Sequence, residues 1–275
     1  MRAGQKLDSS GSARWVGWVT AVLSIIMSLF LILPLVGLVW RGLTLPGTAA
    51  LNQSSLASAV LLSLSTTAIS VLLIILLGTP LAYVLARYPL RFKRLLTVFI
   101  ELPIVMPPVV AGLGLLAVFG RRGLLGLPLA ELGITITFSG TAVVLAQVFV
   151  ASPFYIRAAQ SRFAALPREF EDAAAVDGAS RWQTFRHIML PLSRNGLLAG
   201  LILSWARALG EFGATILFAG NLQGTTQTMP LLVYASLERD LRITFITALI
   251  LLGLAVVAFG ITRWLTGLDS HEIWG

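Results

Sequence analysis

Side chains able to do chemistry are few in this sequence, and they fall in two places. Between Arg168 and Pro191, REFEDAAAVDGASRWQTFRHIMLP, four acids and three arginines sit within 24 residues flanked by long apolar runs. Arg207 and Glu211, read as the charged residues deep within such a run, stand four apart, which puts both on one face of a helix. Neither group has the make-up of a catalytic centre. Cysteine is absent, so thiolate chemistry and disulfides are excluded, and His187 and His271 belong to no H-E-x-x-H motif. Neither Lys6 nor Lys93 lies in a G-x-x-x-x-G-K-[ST] loop, so the chain has no phosphate cradle of that kind for ATP. The expectation is a protein that is not an enzyme, with no catalytic residue, no metal site and no cofactor of its own. What remains is ion-pair chemistry. An ionisable group inside a bilayer is costly unless paired, which makes Arg207 and Glu211 functional candidates by default.

The elements that carry these groups are apolar. The chain is 57% hydrophobic and 12% charged, against about 25% charged for an ordinary soluble domain. Apolar runs of about 20 residues, the length that crosses a bilayer core of about 30 Å, recur along it. Six are counted, over 15–40, 57–86, 95–119, 138–156, 197–219 and 243–265. The first is too long for the apolar region of a signal peptide and reads as a retained span. Gly78 and Pro80 predict a kink in the second, and Pro107 with Pro108 a bend in the third. The fold class expected is all-α: a polytopic membrane protein of six transmembrane helices. It divides into a tail (1–14), one transmembrane domain (15–265) that includes a loop over 160–194, and a second tail (266–275).

The net charge of +8 is nearly all arginine. Because the arginines flank apolar runs, retention of loops on the cytoplasmic side explains them better than nucleic-acid binding. With the N-terminus inside, 14 cations fall on the cytoplasmic side and five outside, leaving Arg207 within a span. Both termini, and the charged segment, are therefore expected in the cytoplasm.

Within that segment local signals predict a helical hairpin. Pro167 suits a first helical position, and Glu169, Glu171 and Asp172 favour the positive end of the helix dipole. Ala173 to Ala175 are strong helix formers. Gly178 permits the positive φ of a sharp exit, and Ser180 with Gln183 fits a capping box opening a second helix. The result is either a docking element with a small, charged face or a solvated loop.

The spacing Asp172-Ala173-Ala174, three residues, Gly178, nine residues, Ile188, one residue, Leu190-Pro191 resembles the "EAA" loop of ABC importer permeases, with Asp172 where glutamate is usual. The resemblance implies that Glu171, Asp172, Ala173, Ala174, Gly178, Ile188, Leu190 and Pro191 couple the chain to an ATPase subunit. Further stretches resemble the oxyanion branch of these permeases: GTPLAYVLAR at 78–87, LPIVMPPVVAGLGLLAVFGRRGLLG at 102–126, AVVLAQVFVASPFYIRAA at 142–159 and ARALGEFGATILFAGNLQGTTQTMPL at 206–231. The form GEFGATILFAGN is more similar to the molybdate and tungstate type than to the sulfate type. This implies a prokaryotic plasma-membrane permease that imports an oxyanion by alternating access. Its implied partners are ABC ATPase subunits holding ATP and magnesium, an extracytoplasmic oxyanion-binding protein, a second permease copy in a homodimer, and the lipid bilayer.

Candidates for the passage or its gate are Thr66, Thr67, Arg207, Glu211 and Thr215, among the hydroxyls and amides Ser63, Ser65, Thr79, Gln147 and Ser152. Hydroxyl donors suit a dianion that must not be held tightly, but the same residues serve helix–helix packing in membranes. Arg207 and Glu211 are open to two roles, a gate or a static structural pair. Arg121 and Arg122 could draw an anion or anchor a loop at the headgroups. A sulfate or thiosulfate permease, and a secondary transporter relying on Glu211, are the alternatives.

Overall fold

In a computed structural model, residues 9–46 and 53–267 are described, and they form helices and connecting turns with no strand. In chain order the helices are α1 (Ser9–Thr44), α2 (Gln53–Arg87), α3 (Lys93–Val105), α4 (Pro108–Phe119), α5 (Gly126–Glu131) and α6 (Gly140–Ala165). Then come α7 (Glu169–Val176), α8 (Arg181–Thr184), a π-helical turn (Phe185–Met189) and α9 (Leu190–Leu192). The chain ends with α10 (Arg194–Leu209), α11 (Gly213–Phe218), α12 (Met229–Leu237) and α13 (Leu241–Gly267). The tails read over 1–14 and 266–275 lie partly outside the described residues, and α1 already begins at Ser9.

Four helices are long and apolar enough to cross a membrane alone, and the number rises to six if each of two bent pairs counts as one span. The core lies where α2, α6 and α10 pack together. Ala82, Ala151 and Ala159 let these helices approach, and Leu85, Tyr155, Phe163 and Met189 fill the space between them. The polar residues of α2 and α6 meet inside the same seam. Gln147 Oε1 accepts from Ser70 Oγ at 2.9 Å, its Nε2 donates to Thr67 Oγ1 at 3.3 Å, and the Thr79 and Tyr155 hydroxyls lie 2.6 Å apart. Small residues and hydrogen-bonded side chains are what hold helices together where lipid removes the hydrophobic drive.

Helix α1 is different. The most apolar stretch of its span has no buried residue, and the helix rests against α13, where the buried Gly42 brings the backbone up to Leu249. Trp15 and Trp18 near one end and Trp40 near the other are exposed, as indole rings at two membrane surfaces are.

Two of the expected runs are not single helices. In the third run the bend expected at Pro107 and Pro108 is present, and it is a break rather than a kink: α3 and α4 meet at 119° across Met106–Pro107. Met106 is extended (φ −65°, ψ 133°), as a residue before proline must be, and neither Pro107 nor Pro108 supplies an amide N–H to carry the helix across. The fifth run is also broken, between Leu209 and Gly213, after a 72° turn that separates it from the hairpin at Ser193. The second run is one continuous helix that contains Gly78 and Pro80.

Candidate functional site

The hairpin forms much as its local signals require, with shifted ends. Helix α7 starts at Glu169, two residues after Pro167, with Arg168 O accepting from the N–H groups of Glu171 and Asp172 at 2.9 and 3.0 Å. It closes on Gly178 at φ +81°. Ala179 N donates to Ala174 O at 2.9 Å and Gly178 N to Ala175 O at 3.1 Å, the paired bonds of a Schellman turn. The capping box is present: Ser180 N donates to Gln183 Oε1 at 2.7 Å, and Gln183 N to Ser180 Oγ at 3.3 Å.

Anchoring to the bundle comes through Glu171. Its Oε1 accepts from Tyr83 Oη at 2.9 Å, and its Oε2 lies 3.6 Å from Arg87 Nε. Arg87 is only 6% exposed and also donates from Nη2 to Leu166 O at 2.8 Å, so one guanidinium ties the ends of α2 and α6 to α7. Tyr83, Phe163 and Phe185 stack beside it, with Tyr83 4.8 Å from Phe185 and 5.4 Å from Phe163 between ring centres. On the returning side, Arg162 Nη2 donates to Leu192 O at 3.0 Å. Among the residues expected to couple, Ala174, Ile188 and Leu190 turn inward wholly or in part, while Asp172, Ala173, Gly178 and Pro191 are exposed. Phe170, Val176 and Trp182 add exposed apolar surface to the same hairpin, with Val176 88% exposed.

The second site is the junction of the two broken spans. Helix α11 lies against α4, and glycines set the distance. A Cβ on Gly112 would stand 2.9 Å from Ala214 O, and one on Gly213 would stand 2.6 Å from Pro108 Cβ. Arg207 Nη1 and Glu211 Oε2 are 2.5 Å apart, so the expected pair is present. Glu211 is not on the helix with Arg207, however. It lies in the break, 1% exposed, and its Oε1 accepts from Ala214 N at 2.8 Å, which satisfies an amide that starts α11. Thr215 Oγ1, one residue on, is buried and has no hydrogen-bond partner among the described residues. Thr66 and Thr67 are also buried, the first bonded to Leu62 O at 2.7 Å and the second accepting from Gln147.

Sequence reasoning missed two groups. Glu101 lies inside the third apolar run and pairs with Arg157 at 2.9 Å, so Arg207 and Glu211 are not alone as charges in the runs. An isolated acid in an apolar stretch was the available signal. Arg87 was counted only as a loop cation; its partner on the hairpin, Glu171, is 84 positions away and leaves no trace in local sequence.

A bundle of apolar helices, two of its runs broken and packed on each other, with a helical hairpin on one end, is the architecture of a membrane-embedded protein. The chain belongs to the family of binding-protein-dependent transport system inner membrane components, whose family model matches residues 74–267. It is 40% identical over 248 residues to the molybdenum transport system permease protein ModB of Mycobacterium tuberculosis, covering 87% of this chain and 92% of that protein. To the ModB of Escherichia coli strain K12 it is 39% identical over 221 residues, 78% of this chain and 95% of the other. In fold it is similar to a chain of a bacterial ABC transporter involved in the import of the acidic polysaccharide alginate, with a TM-score of 0.72 at 18% identity over 96% and 98% of the two chains. The MetNI methionine ABC transporter, inward-facing, gives a TM-score of 0.62 at 16% identity over 78% and 95%. The chain is thus a multi-pass transport subunit of the inner membrane, not an enzyme, and acts with a substrate-binding protein and a separate ATPase.

Proposed function

We propose that this chain is the permease subunit of an ATP-driven importer that moves a tetrahedral oxyanion, molybdate or tungstate, across the membrane by alternating access. The observation that carries the coupling is the hairpin: a rigid pair of short helices with an exposed face of Phe170, Asp172, Ala173, Val176 and Trp182, tied from behind to two spans by Arg87 and Glu171. A partner that grips such a face moves α2 and α6 with it. The cargo is supported by the likeness to molybdenum permeases over most of both chains.

In this reading both termini and the hairpin are cytoplasmic, ATP and magnesium stay on two partner ATPases, and this chain binds no cofactor. Two copies pair to enclose one passage. A loaded binding protein docks outside, the ATPases close on ATP, and the hairpins swing the spans outward-open; hydrolysis resets them. Glu171, Asp172, Ala173, Ala174, Gly178, Ile188, Leu190 and Pro191 form the coupling element. The Arg207–Glu211 pair sits at the hinge of a broken span, where its near-zero net charge neither traps nor repels a dianion, with Thr66, Thr67 and Thr215 close to the moving helices. Titration calorimetry of the associated binding protein against molybdate, tungstate and sulfate tests the cargo. Tight binding of the first two with weak sulfate binding is expected, and preference for sulfate would overturn the assignment.

A further inference from the structure

The segment joining α11 to α12 is not helical, yet it reaches into the bundle. At its far end it delivers Met229, the first residue of α12, whose N–H donates to Ser63 Oγ at 2.7 Å, and Ser63 lies roughly ten residues into α2, about 15 Å along its axis. Irregular backbone at such a depth persists where protein buries it or where it lines a watery cavity. Both apply here. Leu222 O accepts from the N–H groups of Thr225, Thr226 and Gln227 at 3.1, 2.9 and 3.0 Å, and Leu222 N donates to the buried Thr226 Oγ1 at 2.9 Å. The segment also walls a cavity of about 370 Å³ shared with the first turn of α2, with α12 and with the start of α13.

The polar wall of that cavity is Ser55, Asn221, Gln223, Gln227, Ser236, Arg239 and Thr247, with Gln223 Nε2 donating to Ser55 Oγ, and it holds no carboxylate. Several of these are fixed in place. Gln227 Nε2 donates to Asn221 Oδ1 at 2.9 Å, Ser236 Oγ to Leu232 O at 2.8 Å, and Thr247 Oγ1 to Ile243 O at 2.9 Å. These bonds spend hydroxyl protons and an amide oxygen, and leave N–H donors over: the Asn221 amide, the second Gln227 N–H and the Arg239 guanidinium. Arg239 makes no ion pair among the described residues. Of the acids beside it in sequence, Asp240 is engaged at the start of α13, accepting from Ile243 N at 3.1 Å, and Glu238 is not part of the wall.

We propose that this cavity is a receiving site for a tetrahedral oxyanion, at the end of the bundle that faces outward in the orientation given above; the proposal rests on the oxyanion reading. A wall of N–H donors without carboxylates favours an anion over a cation. One guanidinium against two negative charges leaves the ion incompletely neutralised, so it is held loosely and passed on. The cavity has room for on the order of ten water molecules at about 30 Å³ each, enough for an ion that keeps part of its hydration shell.

The absence of cysteine makes a direct test clean. Ala235→Cys places one thiol on the cavity wall, and its reaction with a water-soluble maleimide is followed on this chain in the assembled transporter. Molybdate, against chloride at equal ionic strength, should slow labelling several-fold and saturably. Arg239→Gln should abolish that protection, and Arg239→Lys should retain part of it. Labelling indifferent to molybdate, protection unchanged in Arg239→Gln, or a thiol that water-soluble reagent never reaches would each overturn the site. Molybdate uptake by the same vesicles separates the two readings. Uptake without protection removes the cavity alone; protection without uptake keeps it as an anion site and removes the permease assignment.

Discussion

Arg87 shows how one side chain can join three elements. Its guanidinium is almost fully buried, bonds to the carbonyl that ends α6 and faces the carboxylate of α7. Arg87→Met would leave Leu166 O without its donor and Glu171 without its counter-charge, a loss of about 1.5–3 kcal/mol for a hydrogen bond to a charged group. The hairpin would then follow its ATPase without pulling the spans. Uptake should fall roughly ten- to hundred-fold, the equivalent of that energy, while ATP hydrolysis by the assembled complex continues. Glu171→Gln, which still accepts from Tyr83, should cost less, and equal loss of hydrolysis and uptake in Arg87→Met would remove the tie from the mechanism. Glu211 teaches a related lesson. Its spacing from Arg207 made the pair legible in the sequence, but its bond to Ala214 N was not, because that bond exists only where the helix stops. A charge-swapped pair therefore loses the cap. Glu211→Gln, which keeps an acceptor and removes the charge, is the cleaner probe.

At the scale of elements, the hairpin was readable almost residue by residue, since Ser180, Gln183 and Gly178 act through bonds to near neighbours. The broken spans were readable only as apolar runs. Hydropathy records that residues prefer lipid, not the direction in which the chain travels. The 119° reversal at Met106–Pro107 depends on what receives the second helix. What receives it is α11, through Gly112 and Gly213. Gly112→Ala should push the Cβ onto Ala214 backbone atoms that cannot give way, costing about 1–3 kcal/mol as overpacking does. The thermal midpoint of the purified complex should drop accordingly. Gly114→Ala, on the same helix but facing open space, should leave the midpoint unchanged, and equal effects at both positions would mean that the junction is not close-packed.

For the whole molecule, composition was enough to identify a membrane protein, and the spacing around Gly178 was enough to suggest whose motor it uses. The arrangement of the core was not legible, because the Gln147 bonds to Ser70 and Thr67 cross between helices some 75–80 positions apart in sequence. Exposure completes the picture. An α1 whose most apolar stretch has no buried residue has lipid, or a second copy of the chain, as its only suitable surroundings. Central to the proposed function is that the hairpin carries an ATPase's work into a passage for oxyanion. Radiolabelled molybdate uptake into proteoliposomes containing the chain, its ATPase and its binding protein tests it most directly, with Gly178→Pro as the comparison. Proline fixes φ near −65° and has no N–H, whereas position 178 needs φ +81° and a donor to Ala175 O. ATP-dependent uptake by the unaltered chain, and uptake at background from a variant inserted in normal amount, is the predicted result. Full uptake by Gly178→Pro, or accumulation that needs no ATP, would contradict it.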